Sequence, residues 1–155
     1  MSAGGSTHAD PRREARAVLR QRRREASVAE RMAAAESVAT RLLAHSRFPA
    51  EGYIAGYWAM DGEVPLHVLQ MRLGEGQVWC LPCIQPDGSL RFAPWRSGDP
   101  LVANRFGIPE PDLDPASLLP AREMALVVMP LLGFTRNGRR LGMESLPHSW
   151  FRARR

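Results

Sequence analysis

The sequence predicts an α/β fold in which helices flank a mainly parallel sheet, and three observations predict it. Two helical patterns fill residues 12 to 43. Three apolar, strand-like runs follow, at residues 52 to 60, 77 to 82 and 124 to 129, with a short helical stretch between the first two. The last run opens into Pro130-Leu131-Leu132-Gly133-Phe134-Thr135-Arg136-Asn137-Gly138-Arg139-Arg140-Leu141-Gly142-Met143, a segment that reads as too irregular for helix or sheet. A loop at the carboxyl end of a parallel strand is where open α/β sheets hold ligands. Its three glycines let backbone approach a ligand, and its three arginines suit phosphate or carboxylate.

A chain of 155 residues is enough for one domain with a sizeable core and short for two. At 45% hydrophobic and 24% charged it has a globular composition. No apolar run approaches the roughly 20 residues needed to span a bilayer, and the Ser/Gly/Thr-rich start lacks the apolar core of a signal peptide. A cytoplasmic protein without a membrane partner is the expectation. All 21 basic residues are arginine, which lowers the weight of any single one, and the net charge is +5. Residues 12 to 24 hold about a third of the arginines. Such a helix reads as a solvated face before it reads as a nucleic-acid arm, so no nucleic acid is expected.

Residues 1 to 11 are small and polar, without periodicity, and are expected to be disordered. From Arg12 a helix is expected, with Ala15, Val18, Leu19 and Ala26 on one face. Ser27-Val28-Ala29-Glu30 is a capping box that starts a second helix at Val28. Met32, Ala35, Val38, Ala39, Leu42 and Leu43 form its apolar stripe, and it ends before Arg47-Phe48-Pro49. Gly52 to Met60 reads as a buried strand. Asp61-Gly62-Glu63-Val64-Pro65 then turns into a short helix through His67, Val68, Leu69 and Leu73. From spacing, Glu63 reads as a charge near a helix start. Gln77 to Pro82 is a strand, Pro86-Asp87-Gly88 a turn, and Ser89 to Trp95 alternates as an outer strand does. A proline-rich connection containing Gly98-Asp99-Pro100-Leu101 and Phe106-Gly107-Ile108-Pro109-Glu110-Pro111 leads to the buried-type strand Met124 to Met129. Cys80 and Cys83 have redox spacing but sit on a strand, not at a helix start, so buried or edge-strand thiols are expected.

Several of these phrases, in this order, resemble the 5-formyltetrahydrofolate cyclo-ligase (methenyltetrahydrofolate synthetase) family. Arg12, Arg16, Leu19, Arg24 and Ser27 follow its opening helix pattern, and Tyr57, Met60, Glu63 and Val64 its Tyr-x-x-Met-x-x-Glu-Val phrase. Gly-Asp-x-Leu recurs at residues 98 to 101, Phe-Gly-Ile-x-Glu-Pro at 106 to 111, and the Arg-Leu-Gly of the C-terminal signature at 140 to 142. The resemblance covers residues 12 to 143. It implies a three-layer α/β/α fold related to ribose-phosphate isomerase and CoA-transferase. It also implies an ATP- and Mg²⁺-dependent ligase of one-carbon metabolism that converts 5-formyltetrahydrofolate to 5,10-methenyltetrahydrofolate, with ADP and phosphate released.

Carried over by position, Arg12 and Arg16 would hold ATP phosphates, with Arg140, Leu141 and Gly142 at the start of a phosphate loop. Trp58 and Glu63 would meet the folate. Arginine stands at position 12 where the family more often has lysine, which changes the contact's geometry. A monomer acting on a small-molecule folate is implied.

After Met143 the family continues with a glycine-rich, aromatic, Asp-ending run, whereas this chain has Glu144-Ser145-Leu146-Pro147-His148-Ser149-Trp150-Phe151-Arg152-Ala153-Arg154-Arg155. The sequence reading is therefore of an incomplete domain at 12 to 143 and a non-matching basic tail at 144 to 155, as a truncated or frameshifted gene product would give. An uncovered sheet edge and poor solubility are expected from it. Two alternatives accompany the enzyme: a catalytically inactive remnant, and a basic RNA-binding module with steep salt dependence.

Overall fold

The computed structural model describes residues 10–141. Helix α1 runs Pro11–Glu25, one residue earlier than the polar lead suggests. Asp10 caps it, its carboxylate accepting from Arg12 N at 3.0 Å, and proline at the first position loses no needed N–H. Arg22, Arg23 and Arg24 in the last turn oppose the negative end of the helix dipole.

The expected apolar face of α1 is only half right. Ala15 and Val18 are exposed, while Leu19 and Ala26 share the half-buried side with Arg16, Arg20 and Arg23. The helix turns a cationic stripe inward because what it covers is a polar-walled cleft and an acidic turn.

Helix α2, Val28–Leu43, begins with the capping box expected of it. Ser27 Oγ accepts from Glu30 N at 3.2 Å and the Glu30 carboxylate accepts from Ser27 N at 2.7 Å. Such a cap is worth about 1 kcal/mol. Strand β1 is Gly52–Ala55, helix α3 His67–Met71, strand β2 Gln77–Ile84 and strand β3 Leu90–Pro94. Strands β4, Leu101–Ala103, and β5, Pro109–Pro111, form a small antiparallel hairpin. Strand β6, Met124–Val127, returns to the main sheet, whose order is β3-β2-β1-β6. Strand β1 is parallel to both β2 and β6, and only β3 is antiparallel. The fold is α/β with a mainly parallel sheet, as the sequence predicts.

One sheet face meets the helices. Ile54, Trp79 and Leu81 are buried against Ala35 and Ala39 of α2 and Val68 and Leu69 of α3. The two alanines, four apart on α2, let helix and sheet approach closely. Trp79 lies directly over Gly56, where a Cβ would come within 2.1 Å of the indole. The register places Ala55, Cys80, Pro82 and Phe92 on the other face. There Ala55, Cys80 and Phe92 are buried, with Tyr53, Leu90 and Met124 around them.

Three strand expectations change. The first run leaves the sheet at Ala55 after one further ladder bond, Gly56 N to Cys80 O at 3.0 Å, because Tyr57 turns to donate its hydroxyl to Val64 O at 2.7 Å. Strand β3 does not alternate cleanly, since Leu119 pairs with Phe92 along its outer edge and Ala93 is buried beside it. Strand β6 contains no buried residue. It pairs only with β1 among the described residues, and an apolar run is buried on both sides only when neighbours cover it.

Candidate functional site

The helix-free sheet face forms the floor of a cleft of about 1540 Å³. Pro82, Ile84, Leu90 and Phe92 of β2 and β3 line that floor. Arg12 and Arg16 of α1 form one wall, and the β4–β5 hairpin contributes Asn104, Phe106, Ile108 and Glu110. The segment after β6 closes the remaining side.

That segment is not irregular, contrary to its glycine-rich appearance. Gly133–Phe134 and Arg140–Leu141 are strands β7 and β8 of a tight antiparallel hairpin. Gly138 takes φ 79 at the turn, a conformation that strains other residues. Thr135 supplies the closure: its N–H donates to Arg139 O at 2.8 Å, and Arg139 N donates to Thr135 Oγ1 at 3.1 Å. Its hydroxyl also meets Asn137 Oδ1. Gly133 lies so near α1 that a Cβ there would stand 2.8 Å from Leu19 Cδ1. Arg136, Arg139 and Arg140 therefore line the same cleft as Arg12 and Arg16. Guanidinium groups gathered from two elements suit a polyanion.

Glu63 is held by the turn that follows β1. Met60 O accepts from Glu63 N at 3.0 Å, while Asp61 and Gly62 take positive φ values of 50 and 77. Gly62 packs on the end of α1, where a Cβ would lie 2.9 Å from Arg23 O. The Glu63 carboxylate accepts from Met60 N at 2.9 Å and from Arg23 Nη1 at 3.3 Å. Glu63 is therefore not a helix-start charge, for α3 begins four residues later without a side-chain cap. Burial pushes its carboxyl above the usual range, against the lowering pull of Met60 N–H and Arg23. Asp61 beside it is held low, first by the hydrogen bond from Arg24 at 2.6 Å. Arg23 Nη2 also donates to Asp61, at 2.7 Å.

Trp58 is partly exposed on the cleft wall and meets Trp95 edge-on. The structure thus brings Arg12, Arg16, Trp58, Glu63, Arg140 and Leu141 to one cleft. Gly142 lies outside the described residues, as do residues 1 to 9 and the tail at 144 to 155.

Sequence reasoning missed the β4–β5 side of this cleft. Glu110 Oε1 accepts from Ile84 N at 2.8 Å and from Asn104 Nδ2 at 2.7 Å, and Asn104 Oδ1 accepts from Phe106 N and Ile108 N. The phrase Phe-Gly-Ile-x-Glu-Pro was a signal for it, but only tertiary contact shows that it faces the cleft. Arg23 was missed too, because its partners lie far away in sequence.

Comparison with known proteins places these features in context. A family model described as the 5-formyltetrahydrofolate cyclo-ligase family matches residues 8–144. A 5-formyltetrahydrofolate cyclo-ligase of Escherichia coli (strain K12) is 31% identical over 129 residues, covering 81% of this chain and 71% of its own length. One from Haemophilus influenzae is 34% identical over 93 residues, 58% of this chain and 50% of its own. The NMR structure of Aquifex aeolicus 5,10-methenyltetrahydrofolate synthetase shares the fold, with TM-score 0.73, 24% identity and coverage of 85% of this chain and 66% of that one. A 5,10-methenyltetrahydrofolate synthetase from Mycoplasma pneumoniae does so with TM-score 0.61, 15% identity and coverage of 87% and 73%.

Proposed function

The chain belongs to the 5-formyltetrahydrofolate cyclo-ligase family, and we propose that it binds ATP and 5-formyltetrahydrofolate in the one cleft and closes the formyl carbon into 5,10-methenyltetrahydrofolate, releasing ADP and phosphate. The observation that carries this reading is the cleft's mixed lining. Arginines from α1 and from the β7–β8 hairpin, suited to phosphate, line it together with Trp58, Phe92 and Phe106, whose rings suit a flat heterocycle.

The reaction needs ATP because a formyl oxygen on an amide-like nitrogen is a poor leaving group. Phosphorylation of that oxygen lets N10 attack the carbon, and phosphate then departs. The protein's part is positioning and charge neutralisation. Arg12 and Arg16, four apart on one helix face, would meet the phosphates from one wall, and Arg140 and Leu141, with Gly142 after them, from another. Trp58 would stack on the folate, and Glu63 would accept from its ring N–H groups. The donor set fits a polyphosphate. No group of three His, Cys, Asp or Glu side chains converges among the described residues, and Mg²⁺ arriving with ATP would be held chiefly by the nucleotide's phosphates and by water.

The reading takes the protein as a cytoplasmic monomer acting on a small molecule. No helix among the described residues is long and apolar enough to cross a membrane. A second reading, ligand binding without turnover, is favoured by the sequence after Met143, which departs from the family's glycine-rich run. Absorbance of the methenyl product, measured with 5-formyltetrahydrofolate, ATP and Mg²⁺, tests the first against calorimetric binding of each ligand. Turnover supports the enzyme, binding without product supports the second reading, and absence of both rejects the cleft assignment.

A further inference from the structure

We propose that Arg23 is a positioning residue that clamps the end of α1 onto the turn after β1 and holds the Glu63 carboxylate at the cleft wall; the functional part of this inference rests on the folate reading above. The clamp is built from both sides. The Arg23 side chain is 13% exposed and that of Glu63 9%, so neither has much water to replace the other. One guanidinium nitrogen of Arg23 donates to Asp61 at 2.7 Å and the other to Glu63 at 3.3 Å. Arg24, more exposed, fixes the far oxygen of Asp61 at 2.6 Å. Glu63 Oε2 is taken by Met60 N, leaving Oε1 directed by Arg23 alone among these contacts.

The arrangement is not the most stable use of an arginine. Its Nε is buried without a hydrogen-bond partner among the described residues, a cost that folds rarely bear without use. Asp61 moreover competes with Glu63 for the same guanidinium at the shorter distance. The result is a glutamate that is oriented but only loosely neutralised. That suits a side chain meant to accept hydrogen bonds from a ligand, and it suits less well one whose task is a closed salt bridge. The same helix carries Arg12 and Arg16, so at 1.5 Å per residue the clamp lies about 16 Å along α1 from the start of the cationic wall. Docking the C-terminal end of α1 on Gly62 thus sets Glu63 and the arginine pair relative to one another through a rigid rod.

The test reads the Glu63 carboxylate directly, by carbon-13 NMR titration of the full chain, in wild type, Arg23→Met, Arg23→Lys and Asp61→Asn, beside calorimetric titration of 5-formyltetrahydrofolate. The groups facing Glu63 are Arg23 of α1, Asp61 of the turn, with Arg24 behind it, and Tyr57. Arg23→Met is expected to raise the Glu63 midpoint by about one unit and Asp61→Asn to lower it, while Arg23→Lys stays near wild type. Folate binding is expected to weaken roughly tenfold in Arg23→Met and to be largely restored in Arg23→Lys. General loosening of the fold would move both variants the same way.

The clamp is overturned if Arg23→Met leaves the midpoint in place, or if Asp61→Asn moves it upward. Should Arg23→Met not fold, Arg23→Gln, which keeps a donor without the charge, takes its place and is likewise expected to raise the Glu63 midpoint. Variants that show these shifts, beside wild-type protein that binds no 5-formyltetrahydrofolate, reject the folate reading and sustain the clamp.

Discussion

The indole of Trp58 meets that of Trp95 edge-on, with ring centroids 5.8 Å apart and planes at 80°. Trp95 is anchored at the end of β3, its N–H bonded to Trp79 O at 3.0 Å and its Nε1 donating to Asp99 O at 3.1 Å. A side chain at the end of one strand thus sets the pose of an aromatic ring on the cleft wall. Edge-to-face pairs add about 1 kcal/mol beyond their buried area. Trp95→Ala is expected to lower unfolding free energy by roughly 2–3 kcal/mol in urea and to weaken 5-formyltetrahydrofolate binding several-fold. A folded variant with wild-type folate affinity would uncouple the pair from the site.

Arg12 and Arg16 are expected to act on phosphate charge. Replacing either with alanine should weaken ATP binding about tenfold, near 1.4 kcal/mol, with a smaller loss for AMP and a flatter salt dependence than wild type. Calorimetry at two salt concentrations checks this. Equal losses for ATP and AMP would place the arginines away from the terminal phosphates.

Stability should respond to pH in two opposed limbs. Arg24 first, then Arg23, hold Asp61 low, so folding prefers its charged form. That contribution is complete above the ordinary Asp range near pH 4 and is lost as pH falls through the lower folded value. Glu63 is raised by burial, so folding prefers its protonated form. Its contribution is present at acid pH and lost as pH rises through the raised folded value. Urea unfolding across pH should therefore show Asp61→Asn flattening the acid limb and Glu63→Gln flattening the decline above it. If both variants alter the same limb, the two assignments fail.

Cys80 and Cys83 are buried on β2, and burial pushes each thiol up to about 12. Three residues of extended strand separate their backbones by about 10 Å, too far for a disulfide. At pH 8 neither is expected to react with a thiol reagent in the folded protein, and both should react on unfolding. Rapid labelling of native protein would revive the redox reading.

Local signals were well written in the chain. The Ser27–Glu30 capping box, the alanine and leucine stripe of α2, and the Pro86-Asp87-Gly88 turn each depend on neighbours within four residues, so pattern suffices to find them. The Cys80 and Cys83 strand was legible for the same reason. Strand β6 misled, since an apolar run records what a segment could bury and not what lies beside it. The Gly133–Leu141 hairpin misled in the opposite way, because its closure rests on the Thr135 hydroxyl and one positive-φ glycine and not on an apolar alternation.

The site divides along the same line. The ordered series of phrases shared with the family nominated Arg12, Arg16, Trp58, Glu63, Arg140 and Leu141, although Glu63 taken by spacing alone read as a helix-start charge. That these side chains line one cleft, on the sheet face that α2 and α3 leave uncovered, came from strand register and from the docking of α1. The partner of Glu63 is 40 residues away, on a helix whose arginines look alike in sequence. Local propensity sets which segments become helix or strand. Which arginine becomes a clamp and which a cleft wall depends on burial and distance, quantities that exist only once the chain has closed on itself.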